Sequence, residues 1–210
     1  MILVKLQEKF NEIEKHLLED DKPSVYLNEL KSSGELAVEP FNWLISLEKI
    51  EQSPKHHPEG DVWVHTMMVV DKGSSYRDYV EDKKVFMWAL LLHDLGKRST
   101  TKLRNGRWTS YDHDKVGRKD SYDFLSCFNL DEEFKTKVSI LVRYHMHLLF
   151  IMNKLPYGDI KGMKKEANLH DLSYVFLSDR LGRGGMDKEE IEKVEKEVES
   201  FRNKFFNMKI

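Results

Sequence analysis

Val85-Phe86-Met87-Trp88-Ala89-Leu90-Leu91-Leu92-His93-Asp94-Leu95-Gly96-Lys97 is the stretch on which the fold turns. Apolar residues run unbroken by any charge from Val85 to Leu92, and an imidazole and a carboxylate follow at once. An apolar run of this kind reads as a buried helix, so His93 and Asp94 stand where that helix leaves the core. Gly96 tolerates a left-handed backbone and is expected to turn the helix off. Lys97 then places a cation beyond the helix end. By itself His-Asp is a common dipeptide, and a capping or satisfied core histidine explains it as readily as a metal ligand.

Working outward, other polar groups interrupt apolar stretches. His65 lies in Asp61-Val62-Trp63-Val64-His65-Thr66-Met67-Met68-Val69-Val70. Asp179 ends Leu172-Ser173-Tyr174-Val175-Phe176-Leu177-Ser178, and His113 and His145 stand between them in Tyr111-Asp112-His113-Asp114 and Leu141-Val142-Arg143-Tyr144-His145-Met146-His147. Burying each of these groups alone costs a few kcal/mol unless it finds a partner. A shared metal would serve several of them at once.

His65, then His93-Asp94, then Asp179, in that order on expected helices, resembles the HD-domain superfamily of metal-dependent phosphohydrolases. The segments His57-Pro58-Glu59-Gly60-Asp61-Val62-Trp63-Val64-His65-Thr66 and Leu92-His93-Asp94-Leu95-Gly96-Lys97 are similar to the HD portion of bacterial tRNA nucleotidyltransferases. So are Tyr111-Asp112-His113-Asp114-Lys115-Val116-Gly117 and Leu141-Val142-Arg143-Tyr144-His145-Met146. The similar region covers residues 24 to 185. Those enzymes carry a separate nucleotide-transfer domain, in which a Gly-Ser precedes two aspartates one residue apart on a strand. Here Gly73-Ser74 is followed by Arg77-Asp78 and falls between two helices of the HD region, so Gly73 to Tyr76 reads as an ordinary loop. The expectation is a stand-alone HD domain that does not add nucleotides to tRNA.

The resemblance implies an all-α helical bundle, and the helical reading of the residues agrees. Residues 3 to 19 place Leu6, Phe10, Ile13 and Leu17 on one face. Pro23-Ser24 opens a second helix that Ser33-Gly34 ends, and Pro40 starts a short third. Asp61 is a plausible N-cap for the helix carrying His65. Further helices are expected over about 82–95, 114–128, 131–150 and 170–181. Asp187 to Phe206 is densely charged, with Ile191, Val194, Val198, Phe201 and Phe205 on one stripe, and reads as a packing or oligomerisation helix. Between Gly96 and Tyr111 the pattern is not helical, and Trp108-Thr109-Ser110-Tyr111 suits a hairpin arm beside Leu103. The whole, residues 1–210, reads as one HD-type domain with its core over about 24–185 and residues 187–206 as a peripheral C-terminal helix.

Composition bounds the function classes. A net charge of -2 argues against a generic nucleic-acid coat, since non-specific binding relies on many phosphate neutralisations. The single cysteine, Cys127, rules out an intramolecular disulfide and a zinc ribbon; with Phe124, Leu125 and Phe128 beside it, it reads as a packed core thiol. No apolar stretch nears the roughly 20 residues that span a bilayer, and the N-terminus lacks a signal-peptide pattern. A cytoplasmic protein is expected.

The resemblance assigns His65, His93, Asp94 and Asp179 as metal ligands. His113 and His145 are candidates for a second metal or, around a single ion, for substrate contact or proton transfer. His145 and His147 sit two apart on the expected helix and cannot serve one ion; His145 matches the motif, leaving His147 to solvent or a helix surface. Nitrogen and oxygen ligands without thiolate favour Mn, Fe, Co, Ni or Mg, one or two per chain. Asp94 is expected to orient the attacking water, and His113 or His145 to help protonate the leaving group. Lys97, Arg98, Lys102, Arg104 and Arg107 form either a solvated basic loop or a phosphate clamp, with Lys97 the best placed. Arg180 and Arg183 add charge near Asp179 or pair with acids. His56 and His57 precede the first ligand helix, and neither has a role that the residues define.

The function these expectations imply is metal-dependent hydrolysis of a nucleotide, cyclic nucleotide or small phosphodiester or phosphoanhydride. Two other classes stay open: a tRNA- or nucleic-acid-binding HD module, and a non-catalytic metal-bearing regulatory protein. The expected partner is a small phosphorylated molecule; nucleic acid is not favoured and a membrane is not expected.

Overall fold

A computed structural model describes residues 2–54 and 57–206 of the chain; Lys55 and His56 lie outside the described residues, so nothing further is drawn from His56. The described chain is built from twelve helical segments and a single two-stranded hairpin. The all-α bundle expected from the sequence is the fold that forms.

Its centre is α5 (Lys83–Leu92), in which every side chain from Val85 to Leu92 is buried. Burying one large aliphatic or aromatic side chain stabilises by roughly 1.5–3 kcal/mol, so this run fixes where everything else packs. Around it lie α1 (Ile2–Glu19), α4 (Val62–Ser74), α8 (Glu132–Tyr144) and α11 (Leu169–Leu181). The stripe read on α1 is confirmed: Phe10, Ile13 and Leu17 are buried, and Phe10 stacks on Trp88 with ring centroids 4.2 Å apart. The Asp82 side chain caps α5 by accepting from the Val85 N–H at 3.1 Å, and Asp61 caps α4 by accepting from the Val64 N–H at 3.0 Å.

Peripheral elements follow the same logic. The second helix, α2 (Pro23–Ser32), packs on α4, and α3 (Asn42–Ile45) forms a single turn two residues after Pro40. Beyond the central helix come α6 (Lys97–Thr100) and the hairpin β1 (Thr101–Arg104) and β2 (Arg107–Ser110), in which Leu103 faces Trp108 as anticipated. α7 (His113–Ser126) lies along α8. The final helix, α12 (Lys188–Phe206), buries Val194, Val198, Phe201 and Phe205 against the rest of this chain, chiefly α11, while Ile191 stays exposed. Apart from Ile191, its apolar stripe is therefore satisfied within the chain. No described helix is long and apolar enough to cross a membrane.

Several expectations are corrected. The helix anticipated over 131–150 is two: α8 stops at Tyr144, His145 and Met146 make the break, and α9 (His147–Met152) restarts the chain. A further helix, α10 (Ile160–Glu166), has too few apolar positions to show a period. Gly73 and Ser74 are the last residues of α4, not a loop, and Gly73 is small because Leu90 of α5 presses on it. Cys127 is exposed rather than packed, since it caps the end of α7 where the core-facing turn falls to Phe124, Leu125 and Phe128.

Gly96 does not adopt the left-handed conformation. Its φ of −64° and ψ of −15° are right-handed, and the chain leaves α5 through tight turns with Leu92 carbonyl to Leu95 N–H and Asp94 carbonyl to Lys97 N–H bonds of 3.0 and 2.9 Å. Glycine is required for space: a Cβ would lie 2.5 Å from Gly117 N and nearer still to the His113 carbonyl. The turn after α5 and the start of α7 thus touch backbone to backbone, which sets His113 against His93 and Asp94.

Candidate metal centre

Five elements deliver their polar ends to one place. His65 comes from α4, His93 and Asp94 from the turn after α5, His113 from the first residue of α7, His145 from the break after α8, and Asp179 from α11. All six are buried. Their donor atoms fall into two groups, His65 with His93 and Asp179, and Asp94 with His113 and His145, each within 4.8 Å. All six sequence-derived candidates are therefore brought together. The adjacent His93 and Asp94 do converge, with His93 Nε2 3.2 Å from Asp94 Oδ2, because the helix ends at Leu92 and both flank the opening.

The hydrogen bonds fix the tautomers. A carbonyl can only accept, so His93 Nδ1–H donates to Leu90 O at 2.7 Å, His113 Nδ1–H to Ser110 O at 2.7 Å and His145 Nδ1–H to Val142 O at 2.6 Å. In a neutral imidazole the other nitrogen is then a bare acceptor. Burial lowers the pKa of His113 to about 4, with Lys97 adding to the effect against Asp94, and burial followed by the His113 and His93 charges lowers His145 to about 4. Both rings are neutral near pH 7, yet their Nε2 atoms face each other at 3.2 Å. Two lone pairs at that distance repel unless a cation lies between them.

The second group repeats the pattern. His65 Nδ1 meets Glu59 Oε1 at 3.0 Å, and its Nε2 meets Asp179 Oδ1 at 3.1 Å. The two carboxylates meet the ring at opposite nitrogens, so a cation held at Nε2 and Asp179 would take the place of a proton there. His93 Nε2 and Asp94 Oδ2 are buried and, although close to each other, make no bond of hydrogen-bonding geometry. The residues present fit a divalent cation in each group: imidazole nitrogens, those of His113 and His145 bare, ionised carboxylates, and the buried His93 Nε2 without a hydrogen-bond partner.

Charge is arranged to keep the carboxylates ionised. Burial works against Asp94, but the Lys97 ammonium, 2.8 Å from Oδ2, and then His93 hold it well below the usual carboxylate range. Burial likewise opposes Asp179, which Arg183 and the His65 hydrogen bond hold well below that range. His93 shifts the other way: despite burial, the Asp94 and Asp179 charges raise it. Lys97 is buried rather than solvated, its Nζ also donating to Gln52 Oε1 at 2.8 Å.

The rest of the basic run is not a clamp around this site. Arg98 lies over the Trp43 ring, Arg104 bonds Thr109 and lies over Tyr111, and Lys102 and Arg107 are exposed. Of the two arginines near Asp179, Arg180 pairs with Glu197 on α12 at 3.6 Å, and Arg183 approaches Asp179 at 3.7 Å and lines the cavity. His147 is completely buried, its Nε2 accepting from the Asp159 N–H at 3.0 Å among the rings of Tyr144 and Phe150. The break at His145 turns it inward, so of the two positions expected for it, solvent or a helix surface, solvent is excluded.

Sequence reasoning missed Glu59. One of its oxygens accepts from His57 Nδ1–H at 2.9 Å and from His65 Nδ1–H at 3.0 Å, and the other accepts from Gly184 N–H at 3.2 Å. Those hydrogen bonds overcome the burial penalty and push its pKa down. Although His57, Glu59 and His65 also form a cluster, each of these contacts has a hydrogen, so this group is satisfied without an ion. Its place is behind His65, where a carboxylate orients the ring of a candidate metal ligand. The only signal for it was its position within the quoted His57-to-Thr66 motif.

A cavity of about 390 Å³ opens onto Asp94, His113, His145 and Asp179. Lys97 and Arg183 supply cations to its wall, and Trp108, Met146 and Leu149 an apolar side.

Comparison with known proteins assigns the chain to a family. The HD domain family profile matches residues 62–184, more than half of the chain, so the chain belongs to the HD-domain family, the metal-dependent phosphohydrolase superfamily its motifs resemble. The Multifunctional CCA protein of Actinobacillus pleuropneumoniae serotype 5b (strain L20) is 27% identical over 181 residues, 83% of this chain and 43% of that protein. The Multifunctional CCA protein of Pasteurella multocida (strain Pm70) is 29% identical over 189 residues, 84% of this chain and 43% of that protein. That of Haemophilus influenzae (strain PittGG) is 24% identical over 191 residues, 85% and 44% respectively. The chain spans less than half the length of these relatives.

Proposed function

We propose that this chain is a metal-dependent phosphohydrolase acting on a nucleotide or small phosphodiester or phosphoanhydride. We read it as one HD-type domain whose ligands are His65, His93 and Asp179 on one side and Asp94, His113 and His145 on the other. The observation that carries the reading is the convergence of bare Nε2 atoms and ionised carboxylates on the floor of a cavity that also holds Lys97 and Arg183. When bound, a divalent ion supplies an acidified water near neutral pH and offsets phosphoryl charge.

The chain's own residues do the rest. Asp94, held ionised, accepts a hydrogen bond from the attacking water and orients it. Lys97 and Arg183 meet the phosphoryl oxygens; Lys97 is held between Asp94 and Gln52 with one N–H left for an oxygen of the substrate. His113 and His145 have their protons committed to backbone carbonyls, which favours them as ligands over donors to the leaving group. The buried floor keeps bulk water from competing at these groups.

The test is elemental analysis of protein purified without added metal, paired with a phosphatase and phosphodiesterase panel in Mn, Mg, Co and Ni. One or two ions per chain, with turnover abolished in Asp94→Ala and the fold retained by circular dichroism, is the expected result. Full turnover in Asp94→Ala, or none in wild type under any ion, would overturn the proposal.

A further inference from the structure

A second cleft, of about 500 Å³, adjoins the catalytic cavity. Ser110, Tyr111, His113 and Met146 line both, so the two hollows share one wall, and that wall contains a candidate ligand. The far side of the second cleft is Phe150, Leu155 and Tyr157. Tyr157 stands edge-on to Phe150 with ring centroids 5.9 Å apart, and the Leu155 N–H donates to Phe150 O at 2.8 Å, so the far wall is braced rather than loose. Yet the Tyr157 and Tyr111 side chains are 65% and 66% exposed. Large rings exposed together around a concave mouth are a feature of binding surfaces rather than of ordinary ones.

Charge distinguishes the two hollows. In the second cleft the ionic groups cancel: Asp114 is bonded to Arg143, and Asp112 to Lys115 at 2.6 Å. The first cavity instead presents Lys97, Arg183 and the metal-ligand set. An anionic phosphoryl group belongs in the first, and an uncharged flat group in the second. Each volume lies in the range of small-molecule sites, about 300–1,000 Å³, and the first also has the Trp108 ring on its wall.

We infer that the second cleft is a leaving-group subsite that takes a nucleoside or a comparable flat ring system. The favoured substrate is then a phosphodiester carrying a ring system on each side of the phosphorus, rather than a mononucleotide. Hydrolysis adds water across one P–O bond: the water oxygen joins phosphorus, the leaving oxygen takes a proton, and the nucleoside departs through the second cleft. This inference rests on the hydrolase reading above.

Direct binding separates the two readings. Calorimetric titration in EDTA compares a diadenosine monophosphate diester with an analogue in which a methyl group replaces one nucleoside, using wild type, Tyr157→Ala and Tyr157→Phe. Stacking on an exposed ring is expected to make the diester bind about fivefold tighter or more. That preference should fall to near parity in Tyr157→Ala and return in Tyr157→Phe; with metal present, the KM ratio of the two compounds should follow it. Equal affinity of wild type for both compounds, or a ratio untouched by Tyr157→Ala, would overturn the subsite. Preference without turnover in any ion supports the subsite while sinking the hydrolase reading; turnover without preference does the reverse.

Discussion

Gly96→Ala probes how the site is assembled. The glycine occupies a right-handed conformation that alanine adopts freely, so backbone propensity alone would favour alanine by about 0.4–1 kcal/mol. Sterics oppose it. The new methyl would lie 2.5 Å from Gly117 N and 3.0 Å from Gly117 Cα, with the His113 carbonyl nearer still. Carbon contacts settle at about 3.5–4.0 Å, and all three neighbours are backbone, so none can rotate aside. The first turn of α7 must retreat by about 1 Å, at an overpacking cost of about 1–3 kcal/mol. That turn carries His113, whose Nε2 faces His145 at 3.2 Å. For a chain of this size the cost corresponds to a Tm lower by roughly 2–12 °C. Manganese binding, followed by calorimetry, is expected to weaken about 10–100-fold, as when support for a ligand is removed. Gly106→Ala is the comparison: at φ +71° with no atom within 4 Å it meets backbone strain alone and should leave metal affinity intact. Wild-type Tm and manganese affinity in Gly96→Ala would refute the argument that backbone contact between the turn and α7 sets the ligand geometry.

Other outcomes follow from the same structure. A divalent ion at about 100 times its Kd should stabilise the fold by about 2.7 kcal/mol, a rise of roughly 5–11 °C in Tm that EDTA reverses; thermal scans showing no metal-dependent shift would count against the two ligand groups. Glu59→Ala leaves His57 and His65 Nδ1 without their acceptor, and metal affinity should drop about 10–100-fold; unchanged affinity in a calorimetric titration would mean that something else orients His65. Phe201→Ala removes a buried ring packed edge-on to Phe176 at 5.0 Å and should cost about 3–5 kcal/mol in urea unfolding. A loss under about 1 kcal/mol there would show that α12 is not integral to the bundle.

Much of this was legible from local pattern. The apolar run of α5, the stripe on α1 and the capping aspartate of α4 are short-range signals, and each appears where the residues put it. The hairpin was readable from Trp108 and Leu103 because β-propensity and turn residues act over a few positions. The break at His145 was not, since nothing between Tyr144 and His147 is a helix breaker. It exists because His145 Nδ1–H is drawn to Val142 O and His147 to the Asp159 N–H, a partner 12 residues further on. Gly96 invited a left-handed reading because that is the common use of glycine at a helix end; its real constraint is a neighbour from α7, which no local pattern records.

The sequence by itself determined the helical class, the central helix and the identity of the six metal-competent side chains, because hydrophobic period and residue chemistry are properties of the chain. Only the tertiary structure decided how those six divide into two groups, which imidazole nitrogens are bare, and that Glu59 stands behind His65. Those facts depend on which carbonyl or carboxylate each ring meets, and the partners come from elements up to 114 residues apart, as for His65 and Asp179. Packing around α5 brings them within bonding distance, and the resulting tautomers and distances set what the site can bind.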